Sequence, residues 1–334
     1  MSALRNMRRW ITANATQALW RTAPAIPMPI IDALQWTLNR GGRSLPMLAH
    51  VVRENMRAAG VFDEIAFHDY FRHVARHLSN GLRIRRLRRR EDVAKLAHEE
   101  INLDATVAII KEIAQSGRGA VLAPAHCCNY LISLARLRQD VPIYIYLRWS
   151  RDQRRVAMKR EWCEAAGLDV IIEPPNVSNP AARAAVCVDA LREGKVLAIT
   201  PDIAQKASEG IPVRWLNREA YLPTGPASLA MLAEVPIIPL FARYESETQF
   251  LYFEEPVQVD LLSRAEGGRP ESIRRAMQVW ADGFGRFVQN CPQAWFLWGD
   301  SRWTKVLRGD AKYSGVVNPS VNEQTTNAQT QETP

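Results

Sequence analysis

Apolar positions are spaced in two different ways along this chain, and the change falls near residue 119. Residues 1–40 read as amphipathic helix, interrupted by Pro24, Pro27 and Pro29. From Leu45 to about Ser116 apolar residues recur at three- and four-residue intervals, as in 51–57 and 67–74, which predicts helix throughout. Short apolar runs then follow at 119–125, 142–147, 168–173, 196–200 and 235–243. Helical segments near 127–138, 151–166, 180–193 and 225–233 separate them. That alternation predicts an α/β fold, a mixed and largely parallel sheet flanked by helices. Residues 250–259 read as a further strand, for which an antiparallel direction is open. Glu271 to Gln289 reads as a helix opened by Arg269-Pro270 and closed before Cys291-Pro292. The tail from about Ser314 is polar and poor in large apolar residues, so it is expected to be disordered. No repeat and no linker stands out. The expected division is a helical, membrane-proximal segment over 1–44, one α/β domain over 45–312, and a tail over 313–334.

Composition adds a core and a charge asymmetry. Of the 334 residues 47% are apolar, enough for a sizeable core. Five scattered cysteines form no metal-binding spacing and fit reduced thiols in a cytosolic compartment. The net charge of +8 is concentrated at the front. Residues 1–90 hold 16 Arg, no Lys and five acidic residues, hence +11, and the remainder sums to −3. Arg83, Arg85, Arg86, Arg88, Arg89 and Arg90 are the densest part. Such a cluster suits an anionic membrane surface, an acidic protein or nucleic acid, or is simply a solvated helix end. Nucleic acid is disfavoured, because neither an interleaved aromatic–basic strand nor a helix-turn-helix or zinc signature accompanies it. A secretory signal is not evident. The stretch nearest to a membrane span, Ile11 to Leu38, is interrupted by Arg21, Asp32 and three prolines. Trp10, Trp20 and Trp36, interleaved with Arg5, Arg8, Arg9 and Arg21, suit a segment lying on a membrane instead.

Chemistry is concentrated at strand ends. His126 follows the apolar run Val121–Pro124 and is the one His outside the N-terminal helical region. In open α/β sheets the edge where strands end is where ligands bind. Asp202 follows Thr200-Pro201 at another strand end, and Thr224-Gly225-Pro226 opens a helix with free backbone N–H groups suited to anionic oxygens. Arg148 follows a third strand. The chain closes with Cys291-Pro292-Gln293-Ala294-Trp295 through Trp298 and Arg302-Trp303.

In this order these blocks resemble the lysophospholipid acyltransferase superfamily, most closely its lipid A biosynthesis (late acyltransferase) branch, over roughly Val51 to Trp303. The resemblance implies a fatty acyl transfer from an acyl carrier protein or coenzyme A thioester to a membrane lipid or glycolipid acceptor, without metal or organic cofactor. It implies a peripheral location at the cytoplasmic face of the inner membrane, although such enzymes usually carry an N-terminal spanning helix. His126 becomes the general base and Asp202 a catalytic acid residue, while Arg148, Thr224, Gly225, Pro226 and Asn129 become substrate-binding. The family motif is His-x-x-x-x-Asp/Glu, whose acid orients the imidazole. Here Leu131 occupies that position, so the orienter must be another group, with Asp202 a better substitute than Asn129. Two alternatives remain open: an impaired homologue that binds lipid or acyl carrier without turnover, and transfer to a non-lipid metabolite or amine. Cys127 and Cys128 also leave room for a thiol nucleophile, or for plain apolar packing.

Overall fold

The computed structural model describes residues 18, 21–40, 45–87, 89–147, 152–173 and 180–314. Among these lie strands β1 (Ile101–Leu103), β2 (Ala120–Pro124), β3 (Ile143–Leu147), β4 (Asp169–Ile172), β5 (Val196–Ala198), β6 (Ile211–Trp215), β7 (Arg218–Leu222), β8 (Ile237–Glu245) and β9 (Thr248–Phe253). Seven form one sheet in the order β1-β9-β8-β2-β5-β3-β4, in which only the β8–β9 pairing is antiparallel. The expected mixed, mostly parallel α/β sheet is therefore present. All five residues of β2 are buried, as a central strand covered on both faces requires.

The helices are α1 (Met28–Asn39), α2 (Pro46–Ala58), α3 (Glu64–Arg86), α4 (Arg90–Glu100), α5 (Val107–Gln115), α6 (Tyr130–Leu137), α7 (Gln153–Ala165), α8 (Pro180–Arg192), α9 (Gly225–Ala233), α10 (Gly268–Asn290) and α11 (Ser301–Leu307). Asp63 caps α3, its carboxylate accepting from Ala66 N–H at 2.8 Å. α3 runs 23 residues and buries one face, including Phe67, Tyr70, Phe71, His73 and His77.

Two parts depart from the sequence pattern. β1 interrupts a stretch expected to be helical, because three residues on the sheet edge are too few to impose a period of two. The β6–β7 hairpin was not expected either. Its turn uses Leu216 (φ 45°) and Asn217 (φ 61°), two positive-φ residues as a two-residue hairpin loop demands, without the usual glycine to signal it. Gln278 of α10 pairs with this hairpin, accepting from Arg214 N–H at 2.8 Å and donating to Arg214 O at 3.0 Å.

The arginine cluster also changes meaning. Arg83 pairs with Asp32 at 2.8 Å, and Arg86 donates to the carbonyls of Ile26 at 2.6 Å and Pro24 at 3.4 Å. With Ser79 on Gln35 at 2.7 Å, these bonds lash α1 and its preceding turn along α3. Arg85 meets Glu161 at 3.6 Å. Three of the six arginines are thus engaged inside the fold. Arg89 and Arg90 are exposed, and Arg88 lies outside the described residues.

Gly119 enters β2 where a Cβ would stand 2.0 Å from Leu191 O, a backbone atom with no room to yield. Gly119→Ala is expected to destabilise the fold by about 1–3 kcal/mol through overpacking. A denaturant midpoint equal to wild type would contradict that close approach.

Candidate active site

The parallel register of β2 and β5 pairs Leu122 with Ala198. Four residues beyond Leu122 is His126, and four beyond Ala198 is Asp202. Equal run-outs from adjacent parallel strands therefore bring both groups to the same sheet edge. His126 Nδ1 lies 2.6 Å from Asp202 Oδ1, and its backbone N–H donates to Oδ2 at 2.7 Å. Trp295 Nε1–H adds a third donor to Oδ2 at 3.0 Å. Asp202 is fully buried, and the His126 side chain is 16% exposed. A carboxylate on Nδ1 fixes the tautomer and leaves Nε2 as the basic nitrogen, the arrangement in which imidazole accepts a proton from a bound hydroxyl.

Indole N–H groups brace this pair. Trp303 donates to Asp202 O at 2.8 Å, Trp280 to Ala123 O at 3.0 Å, and Trp298 to Pro292 O at 2.7 Å. Trp215, carried by the hairpin, stacks on Phe284 and packs edge-on against Trp295. The closing segment is stitched directly to the turn after β2, with Phe296 N–H on His126 O at 2.8 Å and Cys128 N–H on Ala294 O at 2.7 Å. Trp295, Trp298 and Trp303 are legible in the sequence only as a block, and the bonds of Trp295 and Trp303 to Asp202 are not.

Leu131 sits in the first turn of α6, is 1% exposed, and belongs to the main core. Asn129 makes no side-chain bond to His126. Its backbone N–H donates to Gln249 Oε1 at 3.1 Å, while its Nδ2 is buried without a partner among the described residues. Cys127 and Cys128 are buried, and desolvation pushes both thiols well above their ordinary range. Cys128 also donates to Ala242 O at 3.3 Å, so neither thiol is poised as a nucleophile.

Thr224 makes no side-chain cap, and Pro226 is buried in the first turn of α9. Three residues join α9 to β8, which runs parallel to β2, so α9 begins at the sheet edge where His126 stands. A Cβ on Gly225 would meet nothing within 4 Å, which leaves space over this helix start. Arg148 lies outside the described residues. A small cavity beside the site, under Tyr130, is walled by Ala125, Cys127, Leu240, Ala242 and Leu251. No cluster able to hold a metal ion occurs among the described residues.

Two further histidines of α3 face this region and were not singled out by the sequence. His73 Nδ1 lies 3.0 Å from Gln293 O. His77 packs 4.8 Å from Phe296 and stacks on Tyr130, whose ring is also 5.0 Å from His126. Burial pulls both rings down to about 4, and for His77 the neighbouring His126 adds to the effect.

The family model for bacterial lipid A biosynthesis acyltransferases matches residues 70–305, more than two-thirds of the chain. No curated protein matches it.

Both buried rings are neutral when folded but take up protons below 6.5 when unfolded. Their stabilising contribution is complete above pH 6.5 and is lost as the pH falls towards 4, where folded molecules also protonate. His77→Gln is expected to flatten the pH dependence of unfolding free energy between 6 and 4.5 by about 1.4 kcal/mol per pH unit. Denaturant titrations across that window test this, and an unchanged slope would show that His77 is not held neutral.

Proposed function

The chain belongs to the bacterial lipid A biosynthesis acyltransferase family, and we propose that it moves a fatty acyl chain from a carrier-protein or coenzyme A thioester to a hydroxyl of a lipid or glycolipid acceptor. His126 is the general base in this reading, and the observation that carries it is the Asp202 carboxylate on its Nδ1. The acceptor O–H gives its proton to His126 Nε2 as its oxygen attacks the thioester carbonyl carbon. The resulting tetrahedral oxyanion collapses, breaking the C–S bond. The thiolate leaves and takes the proton back from Nε2, so an ester and a free thiol result. Asp202 orients the imidazole and stabilises its transient positive charge.

Leu131 argues for a retired homologue only if nothing else performs the acid's task. Asp202 supplies a carboxylate at hydrogen-bond distance, which supports turnover over mere binding. The open start of α9 with Thr224, Gly225 and Pro226 suits an anionic group of donor or acceptor. Arg148, which follows Leu147 in sequence, is the matching cation in this reading.

Membrane attachment is assigned to the exposed apolar side chains of α1, namely Met28, Ile30, Leu34 and Trp36, with Arg40 stacked 3.6 Å over Trp36. Trp10 and Trp20 lie outside the described residues. No helix among the described residues is long and apolar enough to cross a membrane. A peripheral position on the cytoplasmic face is consistent with that helix surface and with the basic first 90 residues.

Wild-type protein incubated with an acyl carrier protein thioester and a lipid extract should yield acylated lipid detectable by mass spectrometry. His126→Ala and Asp202→Asn are expected to lower kcat by about 10²–10⁴-fold. Product formed equally by His126→Ala would sink the assignment of the base. Ile30→Glu together with Trp36→Glu is expected to release the protein from anionic vesicles in sedimentation assays while leaving its far-UV circular dichroism unchanged. Undiminished vesicle binding would move the attachment elsewhere.

A further inference from the structure

Tyr70, His73 and His77 share one face of α3, at spacings of three and four, and all three meet the closing segment. Tyr70 Oη donates to Phe296 O at 3.0 Å and His73 Nδ1 lies against Gln293 O, so each of these has a polar partner there. His77 does not. Its Nδ1 is enclosed without a hydrogen-bond partner among the described residues, in a niche walled by Phe296, Tyr130 and Trp162. Asn129 Nδ2, in the turn before α6, is likewise enclosed without a partner among the described residues. An apolar niche has no use for such a ring. Phenylalanine would fill it without the cost of a buried, unpaired polar atom. The polar ring therefore marks a task, and its place is beside the base: Tyr130 touches both His77 and His126.

We propose that His77 donates, from a neutral ring, the Nε2–H hydrogen bond that stabilises the oxyanion at the thioester carbonyl. The inference rests on the acyl-transfer reading above and assigns that reaction a stabiliser for its developing charge. Nδ1 is enclosed with no acceptor to receive a proton, so the ring proton is placed on Nε2. The attacking oxygen and the oxyanion are both bonded to one tetrahedral carbon, so the base and the donor must lie close together, and Tyr130 is in ring contact with both. Nothing is transferred to or from His77: its proton stays on Nε2 throughout, while the acceptor's proton travels through His126. A neutral imidazole in a water-excluded, aromatic niche is an effective donor, since charge–dipole attraction is little screened there. When His126 takes the proton, its positive charge opposes protonation of His77 and keeps that ring in its donor form.

The test uses the full chain. With ring nitrogens labelled with ¹⁵N, His77 should appear at pH 7 as the neutral Nε2–H tautomer, and an imidazolium or the Nδ1–H tautomer would overturn the proposal. In turnover with an acyl carrier protein thioester, His77→Leu should lower kcat by about 10²–10³-fold with little change in KM. His77→Gln places an amide N–H where Nε2–H stood and should recover most of that loss. Thermal melts accompany both variants, so that a fold defect is not mistaken for a lost donor. A wild type that transfers no acyl chain sinks the acyl-transfer reading and this inference together. An active wild type with an equally active His77→Leu sinks the inference alone, as does equal loss in two folded variants.

Discussion

A carboxylate sealed from water is the constraint around which this molecule is arranged. Asp202 has no exposure, and an ion in that position persists only if its lone pairs are met by well-placed donors. Three are provided: the ring and backbone of His126 and the indole of Trp295. Each donor is fixed in turn by something distant in sequence. Trp295 is wedged among Trp215, Phe284, Trp298 and Trp303, and His126 is fixed by the strand-like bonding of residues 294–296 to the turn after β2. The hairpin, α10 and the closing segment can all be understood as scaffolding for one buried charge.

The same constraint accounts for the loss of acid at position 131. α6 begins only at Tyr130, because the turn before it is irregular and places Cys128 at φ 48°. Its buried face carries Leu131, Ile132, Leu134 and Leu137. A carboxylate there would be buried in the main apolar core, at the desolvation cost of a charge taken out of water. With the Nδ1 side of His126 taken by Asp202 from β5, an apolar residue at 131 is the stable choice.

Much of this was legible in the sequence, and the limits are physical. Strand–helix alternation pointed to the sheet, because each apolar run of five to nine residues is long enough to stand out from the helices around it. Placing His126 and Asp202 together required only that both follow apolar runs, and the parallel register does the rest. β1 is too short to declare itself, and the hairpin hides behind a turn without glycine. The arginine cluster misleads for another reason: Arg83, Arg85 and Arg86 find partners at Asp32, Glu161 and the Pro24–Ile26 carbonyls, which no local pattern reveals. His77 was equally invisible. Helical periodicity tells that a ring is buried, and nothing in it tells which buried ring lacks a partner.

The lashing of α1 to α3 joins two surfaces that would otherwise be independent. One bears Ile30, Leu34 and Trp36 outward, and the other turns Tyr70, His73 and His77 towards the closing segment and the base beyond it. Because Arg83, Arg86 and Ser79 fasten them side by side, they behave as one beam. Anything that took hold of α1 would therefore bear on α3 as well, and through Tyr70 on Phe296, whose N–H holds the carbonyl of His126.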